Sequence, residues 1–177
     1  MILVLGAALA FSIFAGDANR PYVGLEAREI ASLSRADVAA LMAGEGWGLA
    51  LPAELNGYPG PKHILELADE LSLTDAQRDG IGAIRAEMRA KARTLGGEYV
   101  DSERRLGEMF RAGHMEPAIL DRHLERSSRL LARLRSAHLN AHLATDPLLT
   151  EARRETYARL RGYAAGGDHG RHAGHDH

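Results

Sequence analysis

The chain is 177 residues long, with a formal net charge of −2; it has room for one main domain and gives no electrostatic case for nucleic acid. Hydrophobic residues make up 45% but aromatics only 5%, so the apolar positions are mainly Leu, Ala, Ile and Met, which favours helix–helix packing over a sheet-based core. There is no cysteine, which excludes disulfides, thiolate nucleophiles, zinc–thiolate sites and cysteine-ligated iron–sulfur clusters.

Ile2 to Phe14 is a run of apolar and small residues broken only by Ser12, and Gly16 and Ala18 follow it as small residues. The run reads as an export signal cleaved after Ala18, although the basic start of such a signal is missing. The alternative is an uncleaved membrane anchor. Residues 19–61 form an N-terminal extension cut by Gly44, Gly46, Gly48, Pro52, Gly57, Pro59, Gly60 and Pro61, so its helices must be short. Ser34 with Asp37 predicts a capped helix running to about Met42. The segment from Asn56 to Pro61 is a turn, and Pro61 suits the first turn of a helix reaching about Leu71.

Residues 62–163 form the helical body. Leu73, Thr74 and Gln77 open a helix: the Thr74 hydroxyl can accept from the Gln77 N–H while the Gln77 side chain reaches back. Ile81, Ile84, Met88, Ala92, Leu95, Tyr99, Leu106 and Phe110 then advance by threes and fours as one helical face does. Gly96-Gly97 predicts a kink or a close helix crossing. Gly113 ends this helix. A second stripe follows Pro117 through Leu120, Leu124, Leu131, Leu134, His138 and then Ala141 or His142. The result is a long antiparallel hairpin whose stripes must be covered by the short helices or by a second chain. Leu149 and Thr150 start a last helix to about Arg161. From about residue 164 the tail holds only Gly, Ala, His, Asp and Arg and reads as disordered.

Over residues 74–135 there are thirteen Lys and Arg against ten Asp and Glu. Arg85, Arg89, Arg126, Arg129 and Arg133 flank the apolar stripes and, with Met88, form a basic, apolar surface suited to an acidic or amphipathic partner. The bland alternative is a solvated face with pairs such as Glu125–Arg129. His138 and His142, spaced i,i+4, can reach one metal ion from one helix face; the alternative is two core-edge imidazoles hydrogen-bonded to a neighbouring helix. Further ligands would come from His63, Glu66, His114, Met115 or His123. His169, His172, His175 and His177, with Asp168 and Asp176, form a flexible donor set for Zn, Ni or Cu. No Gly-rich phosphate loop, GxSxG or HExxH sequence is present, so no enzyme is expected and no cofactor is required.

The two Leu-Thr helix starts, at Leu73-Thr74-x-x-Gln77 and Leu149-Thr150, in a cysteine-free helical chain with an export signal resemble the LTxxQ motifs of the periplasmic Spy/CpxP superfamily. Its relatives include the zinc-resistance-associated protein ZraP and heavy-metal sensors of the CnrX type. The second copy has Arg153 where Gln is expected. The resemblance implies a four-helix, dimeric, cradle-like fold. It further implies either a periplasmic, ATP-independent stress chaperone or adaptor for unfolded clients, or a protein binding or sensing Zn, Ni, Co or Cu. A sensor would be anchored in the inner membrane beside a membrane partner or regulator.

Overall fold

The computed structural model describes residues 20–113 and 115–163, so the leader, His114 and the tail histidines lie outside the described residues. Among the described residues every regular element is helical. Three short helices, α1 (Arg35–Ala43), α2 (Leu51–Glu54) and α3 (Pro61–Glu66), precede two long ones, α4 (Asp75–Arg111) and α5 (Pro117–Thr145). A single 3-10 turn at Asp146–Leu148 leads to α6 (Glu151–Leu160). No helix of the described residues is long and apolar enough to cross a membrane.

The helix starts follow local chemistry. Ser34 Oγ accepts from the Asp37 N–H at 3.1 Å, and Asp37 Oδ2 accepts from the Ser34 N–H at 2.8 Å, capping α1. At α4 the Gln77 N–H donates to Thr74 Oγ1 at 3.3 Å and the Thr74 N–H donates to Gln77 Oε1 at 3.1 Å. α5 opens on Pro117, whose missing N–H is no loss in a first turn. Within the Gly/Pro-rich segment, Leu51 to Glu54 still closes one helical turn, which its breakers did not suggest. α3 stops at Glu66 rather than near Leu71, because the chain turns there and places Ala68, Leu71 and Leu73 together in the core.

The long helices run in opposite directions: Gln77 meets Leu148 just beyond the end of α5, while Ser102 meets His123 and Glu103 meets Ser127. Two apolar clusters fix this pair. In the first, Ile30, Leu33 and Leu41 from the N-terminal extension pack on Ala92, Leu95, Val100, Leu130 and Leu134. In the second, Ile64, Leu71 and Leu73 join Ile81, Leu149 and Tyr157. α4 passes through Gly96-Gly97 as unbroken helix, so the glycine pair marks a crossing: Gly96 lies directly beneath the carbonyl of Leu41. The far ends of the stripes differ from expectation. Phe110 is 57% and Leu124 44% exposed, whereas Val100, Ser102, Ser127 and Leu130 are buried.

The two Leu-Thr starts face each other. Gln77 Nε2 donates to the Leu148 carbonyl at 2.6 Å, two residues before Thr150. Arg153 returns the contact, donating through its guanidinium to the carbonyls of Leu71 at 3.0 Å and Ser72 at 2.7 Å, the latter two residues before Thr74. Leu73 and Leu149 are both buried beneath this exchange. Thr150 caps α6 by accepting from the Arg153 N–H, but no side chain reaches back to complete a reciprocal cap there. Arg153 thus keeps the cross-contact of the position and drops its cap. Its grip on Ser72 also holds a residue at φ 48, in the left-handed region that side chains disfavour.

Candidate functional site

Two openings flank the upper part of α4 and α5. The larger is a groove of about 930 Å³ lined only by residues of these two helices. Its floor includes Ile84, Met88, Leu95, Ala137, Ala141 and Ala144, and Glu87, Lys91 and Arg133 are among its charged lining. Small alanines on one helix let a third segment approach the backbone closely, which long side chains would prevent. Of the expected client-binding residues, Met88 and Arg133 line this groove. Arg85 and Arg89 line the second opening, with Met88 shared between the two. Arg126 and Arg129 are exposed on α5 and line neither; Arg129 stands 3.5 Å from Glu125 as an ordinary helix-face pair.

The second opening is a cavity of about 150 Å³ between the loop after α1, the start of α3 and the two long helices. His138 and His142 share a helix face, as their spacing predicts, and both line this cavity together with His63. His142 Nδ1 lies 2.7 Å from the Tyr58 carbonyl, which assigns it the N–H. His138 is buried, and its Nε2 has no hydrogen-bond partner. His123 stands apart, 3.2 Å from Ser102. Among the described residues no group of three or more His, Asp or Glu side chains is arranged to hold a metal ion.

Burial, and secondly the neighbouring His142, push the His138 pKa below its ordinary value of 6.5, while Glu45 opposes this. The folded chain therefore holds fewer protons at this site than the unfolded chain. The associated stability is present above about pH 6.5 and is lost as the pH falls from there towards the folded value. Denaturant midpoints measured between pH 7.5 and 5.5 (roughly one unit either side of the free imidazole value) should fall for the native chain. The fall should be smaller in His138→Leu; an equal fall in both would remove His138 from the effect.

Beside this cavity lies a polar knot that sequence reasoning missed. Glu54, at the end of α2, is buried. Its Oε1 accepts from the hydroxyls of Tyr157 and, at 3.2 Å, Tyr163; its Oε2 accepts from the Gly60 N–H at 3.0 Å. His63 Nδ1 stands 3.4 Å from Oε1 without hydrogen-bond geometry, and His142 Nδ1 is 3.8 Å from Oε2. Burial, with the Glu54 contact second, drives the Tyr157 phenol pKa far above its ordinary range. The usable signal was a single acidic residue inside the otherwise apolar stretch Leu49-Ala-Leu-Pro-Ala-Glu-Leu55. Through these three donors Glu54 ties α2 to the start of α3 and to α6 with the residues just after it. No protein-family model, curated protein or solved structure matches the chain.

Proposed function

We propose that the protein is a periplasmic, ATP-independent holding chaperone or adaptor of the Spy/CpxP type. It takes apolar segments of unfolded or partner proteins into the groove between α4 and α5. The observation that carries this reading is the alanine-rich groove itself, lined by the two long helices alone and left open by the short ones. Burial of an incoming apolar segment there would contribute about 25 cal/mol per Å² removed from water, enough for weak, reversible capture when the contact is short. Pairing of two copies would complete the four-helix cradle that the resemblance implies.

The chain at stoichiometric excess should suppress aggregation of a chemically unfolded substrate with neither ATP nor metal present. Ala137→Arg, which places a long charged side chain in the groove, should lose most of that suppression while keeping its helical content. Absence of suppression by the native chain, or full activity in Ala137→Arg, would count against the groove as the capture surface.

A second reading, heavy-metal binding for resistance or sensing, draws on the presence of His63, His138 and His142 around one cavity. The described residues fit a metal incompletely, since no three His, Asp or Glu side chains among them are arranged to hold one and three cationic side chains line the cavity. Calorimetric titration of Zn, Ni, Co and Cu into the native chain, into His138→Ala/His142→Ala and into a chain ending at Gly166 separates the cases. Loss only on truncation would make the tail histidines a scavenging site.

A further inference from the structure

The cavity carries an excess of positive charge that neither reading uses. Lys62, Arg85 and Arg89 line it against a single carboxylate, Glu45. Glu45 is already held: Lys62 Nζ donates to it at 3.2 Å and Arg89 stands 3.8 Å away. Lys62, with Arg89 and Arg85 acting through space, keeps the Glu45 pKa below its usual value, so it remains charged at neutral pH. Arg89 Nε is also occupied, donating to the Ala43 carbonyl at 3.1 Å. Arg85 makes no hydrogen bond or ion pair among the described residues, yet it is half-buried at the cavity wall. A partly buried guanidinium that makes no hydrogen bond is a forked donor set for an incoming carboxylate.

The rest of the lining has a different character. Ala50, Pro61, Met88 and Ala141 make apolar walls, and the buried His138 carries a ring nitrogen with no partner in the protein. At about 150 Å³ the space equals that of an engineered apolar cavity known to accept benzene. A divalent cation would meet Lys62, Arg85 and Arg89 here, and among the described residues no three His, Asp or Glu side chains are arranged to hold it. A bare inorganic anion would leave the apolar walls facing water. The charge and the walls are satisfied together only by a molecule with a negative head and a compact apolar body.

We propose that this cavity binds a small organic carboxylate, with the carboxylate on Arg85 and an apolar body the size of a six-membered ring between Met88, Pro61 and Ala141. The groove and the cavity are distinct openings, so the two assignments stand or fall separately.

Benzoate is a probe of the right size and charge. Calorimetry on the full chain should show saturable binding at one site per protomer, with the ring resonances of His138 shifting on titration. Benzamide keeps the ring but lacks the charge, and inorganic phosphate keeps charge but lacks the ring; each should bind at least about tenfold more weakly. Arg85→Gln should lower benzoate affinity by about tenfold, and Arg85→Lys should recover part of it. Ala137→Arg, which disables the groove, should leave benzoate binding intact. Failure of benzoate to saturate, benzamide or phosphate binding as tightly, or unchanged affinity in Arg85→Gln would each overturn the assignment.

Discussion

Gly96→Ala should lower the stability of the protein by about 2 kcal/mol, although alanine is the better helix former. An added Cβ would lie 2.9 Å from the carbonyl carbon of Leu41 and closer still to its oxygen. These are backbone atoms, so α1 must move bodily; overpacking of this kind costs about 1–3 kcal/mol, and a backbone obstacle puts the cost at the upper end. The gain in helix propensity offsets about 1 kcal/mol of it. For a domain of this size the melting temperature should drop by roughly 4–8 °C. Gly97→Ala supplies the control: its Cβ would meet nothing nearer than Met42 Sδ at 3.7 Å, ordinary contact. There the propensity term stands alone, and stability should rise by up to about 1 kcal/mol. Thermal melts in which the two substitutions shift stability alike would mean that α1 does not rest on α4 as described.

Glu54→Ala should destabilise the chain by about 3 kcal/mol, because it strands several buried donors at once. Tyr157, itself buried, loses its acceptor, as does the Gly60 N–H, and unsatisfied buried groups cost about 1–3 kcal/mol each. Glu54→Gln keeps an acceptor oxygen of similar shape and should cost less than half as much. Tyr157→Phe combined with Glu54→Ala should show a coupling of about 1–2 kcal/mol in a double-mutant cycle. Simple additivity in denaturant unfolding would show that the tyrosine hydroxyl and the carboxylate do not work together.

Features encoded within a few residues were legible in advance, and those assembled across the chain were not. Ser34 with Asp37, Thr74 with Gln77, and Thr150 each start a helix through atoms three positions away, and Pro117 starts one by its own ring, so the local sequence alone reveals them. The division of the middle of the chain into two long helices follows from stripes and breakers in the same way. The outer stripe positions failed because periodicity shows which residues share a face, while exposure depends on what covers that face. Nothing among the described residues buries Phe110 or Leu124. His138 and His142 do line one cavity, as an i,i+4 spacing allows, yet the third histidine beside them, His63, comes from α3 and has no local signature. The five arginines read as one basic surface divide between two openings and open solvent for the same reason. Arg153 looked like a lost glutamine; only its partners, more than eighty positions back, show what it does.

The knot at Glu54 also bears on the order in which the chain assembles. Its bonds to Tyr157 and Tyr163 join residues 103 and 109 positions apart, whereas α4 and α5 meet near their turn at separations of 21 and 24. Closing a long flexible loop costs more entropy than closing a short one, so contacts near the turn hold the advantage early. Once the long helices have paired, the segments that flank them are already neighbours and the knot closes over a much shorter effective loop. It is the clasp of the structure rather than its seed. By the same reasoning it is the place where local opening releases α2, α3 and α6 together while the Leu95–Leu134 core stays shut.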